Sequence, residues 1–205
     1  MKTRLDPGRK EGQMIPCHRV FDEFASDYDR WFDDHNDVYV AQVRLLQDAV
    51  PHTGRGLELG AGSGRFAVAL GIRYGIDPSR TLTEMAKIRG VEIVQGEGEH
   101  LPYHAETFDY ILMMTVICFL EYPLIVLYET FRVLVSGGDL VLGFIEKDGV
   151  IATRYRNERV KGKYLRFARF RTVDEVSRSL QEAGFSDISV IRRTRGFCVM
   201  KGHKL

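Results

Sequence analysis

Gly56-Leu57-Glu58-Leu59-Gly60-Ala61-Gly62-Ser63-Gly64-Arg65-Phe66 is the stretch on which the reading of this chain turns. A short apolar strand runs into glycines at alternate positions and then into a helix. Alternating glycines let the turn take dihedrals that side chains disfavour, and they let a ligand lie against bare backbone. The amides that open the following helix point at that ligand and favour an anionic group such as a carboxylate. The next apolar run, Gly75-Ile76-Asp77-Pro78-Ser79, ends in an acidic residue. A carboxylate there, across the switch point from the glycines, can accept two hydrogen bonds from vicinal ribose hydroxyls. On its own, before Pro78-Ser79, Asp77 would read better as a turn opener or helix cap. The glycines shift the balance to a ligand loop.

Working outward, short apolar runs alternate with helical patterns, which predicts βαβ units and a mostly parallel sheet. Strands are expected at residues 56–59, 73–76, 91–94, 108–114 and 139–145. Helices are expected at 65–70, 79–89 and 122–134, with Gly137-Gly138 breaking the chain before the fifth strand. Upstream, Val20 to Val50 carries two helical patterns, one with Phe21, Phe24, Tyr28, Trp31 and Phe32, the other with Val40, Val43, Leu46 and Ala49. Downstream, Thr172 and Glu175 stand at capping-box spacing ahead of a helix to Gly184. Residues 186–191 and 197–200 then predict an antiparallel hairpin about Arg195-Gly196.

Glycines at 60, 62 and 64 do not match the Gly-x-Gly-x-x-Gly of dinucleotide sites, which argues against a nicotinamide-dependent reductase. Glu58-Leu59-Gly60-Ala61-Gly62-Ser63-Gly64 instead resembles the first motif of class I methyltransferases that use S-adenosylmethionine. Ile76-Asp77-Pro78-Ser79 with Met85-Ala86 is similar to their acidic second motif. Gln95 to Tyr103 with Phe108-Asp109, and Glu129 to Leu134 with Gly137-Gly138, resemble the broad subfamily that includes the ubiquinone and menaquinone C-methyltransferases. The likeness covers about residues 54 to 146. It implies a Rossmann-like, doubly wound α/β fold: a seven-stranded, mostly parallel sheet with an antiparallel C-terminal hairpin. The expected organisation is a flexible lead at 1–19, a helical cap at 20–53 and a core at 54–205, with 147–171 on the substrate side.

Residue by residue, the resemblance implies that Gly60, Gly62 and Gly64 face the methionine part of the cofactor and that Asp77 holds the ribose, with Glu58 and Ala61 of the same motif also counted as cofactor-binding. Pro78, Glu97 and the Gly98 amide would lie about the adenine; the family often has Asp where Glu97 stands. Thr115, Ile117 and Cys118 would line the passage to the methyl group. Phe24-Ala25-Ser26-Asp27-Tyr28-Asp29 is similar to the helix that closes over the cofactor and would put Tyr28 near its carboxylate. Tyr28 and Trp31 share a helical face, so burial is an equal reading. Cys118 reads as readily as a small buried hydrophobe.

Composition narrows the function. In 205 residues, 29 Lys and Arg nearly cancel 28 Asp and Glu, so overall charge gives no reason to expect DNA or a membrane surface as partner. Three scattered cysteines suit neither a disulfide framework nor zinc, and a cytoplasmic setting is expected. No run of about eighteen apolar residues occurs, and the N-terminus lacks the apolar stretch of a secretory signal. His100 and His104 are separated by Pro102 and do not form a metal pair. Ile15-Pro16-Cys17-His18-Arg19 resembles the active-site signature of O6-alkylguanine-DNA alkyltransferases. That chemistry needs a base-flipping DNA-binding unit ahead of the cysteine, and too little chain precedes Cys17 to supply one.

The local basic stretch, Arg154, Arg156, Arg159, Lys161, Lys163, Arg166, Arg169 and Arg171, is interleaved with Tyr155, Tyr164, Phe167 and Phe170. It reads either as a solvated face with aromatics packed inward or as a seat for an anionic substrate or RNA. No Pro-Pro-Tyr/Phe device and no Pro-Cys pair follows the fourth strand, where Thr115-Val116-Ile117-Cys118 stands. A small-molecule acceptor is therefore expected, ahead of RNA or protein and ahead of a non-catalytic cofactor-binding module. Alignment of the reactants suffices for methyl transfer from a sulfonium, so a catalytic base is optional and none is legible beyond His35 or Tyr155.

Overall fold

The computed structural model describes residues 17–157, 163–194 and 196–205. Most of the lead at 1–19, the Cys17 and His18 side chains, and Arg159, Lys161 and Arg195 lie outside what it describes. Seven strands form one sheet in the order β3-β2-β1-β4-β5-β7-β6. They are β1 (Gly56–Leu59), β2 (Tyr74–Asp77), β3 (Glu92–Gln95), β4 (Phe108–Met114), β5 (Leu134–Ile145), β6 (Ser186–Thr194) and β7 (Phe197–His203). β7 runs antiparallel to both neighbours, and the other six strands are parallel. The predicted fold is the observed one.

The central strands are apolar nearly throughout because both faces of the sheet are covered, as a parallel sheet requires. Leu57, Leu59, Ile111 and Met113 pack on one side with Val126 and Leu127 of α6 (Pro123–Val133) and Val176 and Leu180 of α8 (Val173–Glu182). On the other side Leu112, Met114 and Val141 pack with Leu46 of α3 (Asn36–Gln47), Phe66 of α4 (Arg65–Leu70) and Ala86 of α5 (Arg80–Ile88). After β1 the chain winds outward to β2 and β3, then crosses back to place β4 on the other flank of β1. The carboxyl ends of β1 and β4 therefore border the crevice at which such sheets bind ligands.

The structure corrects some local expectations and adds to others. Residues 20–50 form three helices, not two: α1 (Cys17–Glu23), α2 (Ala25–Asp34) and α3. The breaks fall at Phe24 (φ −117°, ψ 28°) and His35 (φ −126°, ψ 45°), where no glycine or proline marks them. The 147–171 stretch contains a further helix, α7 (Val150–Asn157), and a 3₁₀ turn at Leu165–Phe167. β5 begins at Leu134 and not at Asp139. Gly137 (φ 84°) kinks this strand without ending it, because its amide donates to the Lys204 carbonyl at 2.7 Å. The capping box at Thr172 and Glu175 is present as expected.

The C-terminal tail locks this edge. Lys204 is 8% exposed, and its ammonium donates to the Phe131 and Leu134 carbonyls at 2.9 and 2.7 Å, over the Phe131 ring. It thus places a cation at the C-terminus of α6, on the Phe131 carbonyl of that helix and the Leu134 carbonyl just past it. Lys204→Met is expected to lower unfolding stability by about 2 kcal/mol, because buried carbonyls lose a charged donor. Thermal or urea denaturation against the wild type measures it.

Candidate functional site

The glycine loop joins β1 to α4 with all three glycines in the left-handed region: Gly60 at φ 72°, Gly62 at 54° and Gly64 at 81°. Gly60 and Gly64 are also hemmed in by neighbours, whereas at Gly62 the backbone conformation alone disfavours a side chain. A Cβ on Gly60 would run into the Val116 side chain beyond β4, and one on Gly62 would meet the Tyr28 ring at 3.4 Å. A Cβ on Gly64 would fall 2.9 Å from Val91 and 3.0 Å from Ala86, so its bareness lets α4 pack against α5 and the start of β3. α4 has only six residues, which leaves the loop's own amides, rather than a helix dipole, as the polar lining.

Asp77 ends β2 and ties this loop to the next helix. Its Oδ2 accepts from the Gly62 amide at 2.8 Å and its Oδ1 from the Ser79 amide at 2.9 Å. It is 8% exposed. Burial pushes its carboxyl up to about 6 against the pull of those two amides, and the nearby Asp22 charge adds to the rise. Each oxygen keeps a lone pair for a hydroxyl donor. Glu58 points to the α4 face of β1, since alternate strand residues face opposite sides. It is 1% exposed, and its Oε2 has no hydrogen-bond partner. Burial raises its carboxyl well above the usual range; the Ala67 amide opposes this and the Asp77 charge reinforces it. Beside it is a cavity of about 10 Å³, lined by Tyr28, Glu58, Gly60, Ala61, Arg65 and Met114 among others.

The leading helices are bolted to this loop by ionic contacts that sequence reasoning missed. Asp29 of α2 accepts from Ser63 Oγ at 2.6 Å, Arg65 Nε at 2.8 Å, Arg65 Nη2 at 3.0 Å and Arg89 Nη2 at 2.7 Å. Arg65 also donates to both oxygens of Asp33 at 2.6 and 2.8 Å. Asp22 of α1 accepts from Ser79 Oγ at 2.6 Å and the Thr81 amide at 3.0 Å, at the start of α5. The available signal was the pair Asp29 and Asp33, one helical turn apart, with Arg65 directly after the last glycine. Tyr28 is held over Gly62 by this arrangement. Burial drives its phenol upward, with Asp77 and Glu58 adding to the effect, so it stays protonated.

Beyond β4 the chain turns at Thr115, a β-branched residue at φ 55°. Its amide donates to the Gly143 carbonyl at 2.7 Å and its hydroxyl to the Met114 carbonyl at 2.8 Å. The turn carries Val116 onto Gly60. Cys118 is 1% exposed, with Sγ 3.2 Å from the Thr115 carbonyl, so its thiol is packed inward. Phe119 meets Phe21, which also stacks on Tyr164 at 5.1 Å and meets Tyr28 edge-on. Cap, post-β4 loop and the 163–171 segment thus converge on one aromatic cluster. On the far side, Gly96 donates to the Asp77 carbonyl at 3.1 Å, and Gln95 reaches the carbonyl of half-buried Pro78. The Glu97 side chain is exposed, whereas Gly98 packs on Val126 and Leu59. His35 stacks on Trp31 at the end of α2. Among the described residues no cluster of three or more His, Cys, Asp or Glu could hold a metal ion.

Asp29 supplies a testable link between charge and cap. Burial opposes its ionisation, but the bonds from Arg65, Ser63 and Arg89 outweigh it and hold the carboxyl well below the usual range. A depressed carboxyl stabilises the fold above its unfolded value near 3.8, and that stability is lost as pH falls through the folded value. Asp29→Ala is expected to cost about 2 kcal/mol at neutral pH, because Arg89 loses its carboxylate partner while Arg65 keeps only Asp33 in a partly buried site. Denaturation at neutral and at acid pH measures both the loss and its shrinkage on acidification.

Comparison with known proteins agrees with this geometry. Residues 57–142 match the family model described as a methyltransferase domain. An uncharacterized protein of Methanocaldococcus jannaschii is 38% identical over 82% of this chain and 82% of its own length. Demethylmenaquinone methyltransferase of Staphylococcus aureus is 26% identical over 89% of this chain and 90% of its own. The crystal structure of an S-adenosylmethionine-dependent methyltransferase from Thermotoga maritima, described as a possible histamine N-methyltransferase, superposes with a TM-score of 0.86. It is 32% identical and covers 92% of this chain and 100% of that one. The chain belongs to the S-adenosylmethionine-dependent methyltransferases, and S-adenosylmethionine is its cofactor.

Proposed function

We propose that this methyltransferase modifies a small-molecule acceptor that enters between the leading helices and the 163–171 segment. The observation that carries this reading is the fate of the basic stretch. Lys163 pairs with Asp27 at 2.6 Å, Arg169 with Glu121 at 3.8 Å, and Arg171 points at the Ile117 and Leu120 carbonyls. Arg166 lies over the Phe167 ring, and Arg156 donates to Thr153. Lys163, Arg169 and Arg171 thus fasten the segment to the body of the protein, and Arg156 and Arg166 contact their own neighbours in sequence, which favours a structural use of these charges over a polyanion seat. The quinone and amine methyltransferases among the similar proteins also act, by their names, on small molecules.

The residues at the crevice fit the cofactor. Bare backbone at Gly60, Ala61 and Gly62, two buried carboxylates and an aromatic lid suit a cationic amino acid joined to a nucleoside. Gly64 shapes the same loop from beneath. Asp77 would take the ribose hydroxyls; Pro78, Glu97 and Gly98 would border the adenine. Tyr28 would close over the methionine part, with Glu58 behind it, while Thr115 and Cys118 would shape the opening towards the acceptor. The bound cofactor supplies a sulfonium methyl group open to in-line attack. The protein's task is then to align the acceptor and exclude water, worth about 7 to 11 kcal/mol where alignment is good. Tyr164 is a poor base for any proton leaving the acceptor. Burial and the nearby Asp27 charge push its phenol up to about 12, and its hydroxyl donates to the Phe24 carbonyl.

Incubating the enzyme with methyl-labelled S-adenosylmethionine and a cell extract split into low-mass, RNA and protein fractions tests the acceptor class. Label is expected in the low-mass fraction. Transfer confined to RNA or protein would refute the proposal while leaving the cofactor assignment intact.

A further inference from the structure

Ser79 stands between two carboxylates. It is fully buried at the N-cap of α5. Its amide donates to Asp77 Oδ1 at 2.9 Å, and its hydroxyl donates to Asp22 Oδ1 at 2.6 Å while accepting from the Leu82 amide at 3.2 Å. Asp22 Oδ1 also accepts from the Thr81 amide at 3.0 Å. The first turn of a helix carries amides with no partner inside the helix. Ser79 answers that of Leu82 as a local cap does. Asp22 answers that of Thr81 from a different helix, α1, and places a negative charge where the dipole of α5 favours one. The glycine loop has a counterpart, since the Ser63 hydroxyl ends on Asp29 of α2 at 2.6 Å. Each turn that borders the cofactor, after β1 and after β2, is thus completed by an aspartate of a leading helix. With these helices docked, the cavity beside the glycine loop has room for about one water. The helices must therefore shift to admit the methionine part, and every such movement acts on Ser63 and Ser79.

We propose that Asp22 is a positioning residue for the cofactor's ribose: it reaches from α1 through Ser79 to orient Asp77, so that docking of this helix and capture of the ribose hydroxyls are coupled. This rests on the cofactor site described above and extends it to a side chain that does not touch the ligand. Without Asp22 the Ser79 hydroxyl and the Thr81 amide lose their acceptor, and the cap of α5 loosens. The Ser79 amide then no longer pins Asp77 Oδ1, and the carboxylate regains freedom that ribose binding has to remove. Charge follows the same path. Asp77 faces Asp22 from α1, the Tyr28 phenol from α2 and Glu58 from β1, and none of these is a cation. Arg80 and Arg89 of α5 are bound to Glu84 and Asp29. From the end of β3 come the neutral Gln95 and the Gly96 amide, on neighbouring carbonyls. Burial is the first cause that raises Asp77 to about 6, and Asp22 is the charge that adds to it. A carboxyl raised on folding contributes stability that is full below its ordinary range and lost as pH rises through the raised value. Ribose hydroxyls donate to the ionised form, so affinity climbs with pH up to about 6 and is flat above it.

Calorimetric titration of the full chain and its variants with S-adenosylhomocysteine and 5′-methylthioadenosine tests the coupling. The second ligand keeps the ribose and adenine but lacks the amino acid. Asp22→Ala is expected to weaken both ligands by the same factor, about five- to tenfold near neutral pH. In an Asp77→Asn background the same change should cost about twofold at most, because residues that act through one another are not additive. Asp22→Asn keeps an acceptor for Ser79 and Thr81 but not the charge. It should restore most of the affinity near neutrality and move the pH at which binding begins to fall below that of the wild type. Unchanged binding in Asp22→Ala, a loss confined to S-adenosylhomocysteine, an undiminished loss in the Asp77→Asn background, or an unmoved pH profile in Asp22→Asn would overturn the proposal. If Asp22→Ala does not fold, the pH profile of Asp22→Asn decides. Absence of binding by either ligand to folded wild-type protein would instead overturn the cofactor site itself.

Discussion

The bond from the Gly62 amide to the Asp77 carboxylate is the constraint around which this site is organised. It fastens the end of β2 to the turn after β1. Through the second oxygen and the Ser79 amide it also sets the start of α5. The carboxylate is buried, which costs free energy, and two amide donors recover part of it. A group held this rigidly is pre-organised for a ligand, because no side-chain freedom remains to be lost on binding. The left-handed glycines follow from the same requirement. A side chain at Gly62 would strain a backbone held at φ 54°, and one at Gly60 would run into Val116 of the post-β4 loop.

The layers above this point are held by charge. Asp22 of α1 and Asp29 and Asp33 of α2 fix two of the leading helices to Ser63, Arg65, Ser79 and Arg89, Tyr39 of α3 donates to the Arg65 carbonyl, and Lys163 and Tyr164 bind the late segment to Asp27 and Phe24. Charged and hydrogen-bonded seams of this kind contrast with the apolar seams inside the sheet. Apolar contacts join the same parts, through Phe21, Tyr28, Phe119 and Tyr164 on one side and Phe32 and Leu46 on the other. Thr115 concentrates strain at the same place. A β-branched residue in the left-handed region costs on the order of 1 to 3 kcal/mol, and here it turns the chain so that Val116 meets Gly60 and Phe119 joins the aromatic cluster.

The parts legible in the sequence were those that the backbone imposes. Alternating glycines after an apolar run, an acidic residue closing the next run, and short strands spaced by helical patterns all reflect local geometry, and they located the sheet, the glycine loop and Asp77. What stayed hidden depends on partners distant in sequence. Asp29 looks like any charge on a helix until Arg65 and Arg89 are brought to it. Gly64 looks like its two neighbours, yet its missing side chain makes room for Ala86 and Val91. The basic stretch reads as a candidate anion site until Asp27, Glu121 and two carbonyls are seen to claim its charges. The breaks at Phe24 and His35 carry no breaker residue, because tertiary docking rather than propensity bends the chain there.

The central claim is that Asp77 and the glycine loop form the seat of S-adenosylmethionine, and the most direct test is calorimetric titration of wild-type and Asp77→Asn protein with S-adenosylmethionine. The account predicts micromolar binding, about −8 kcal/mol, weakened at least tenfold in a variant that remains folded. Undiminished binding by the folded variant would contradict it.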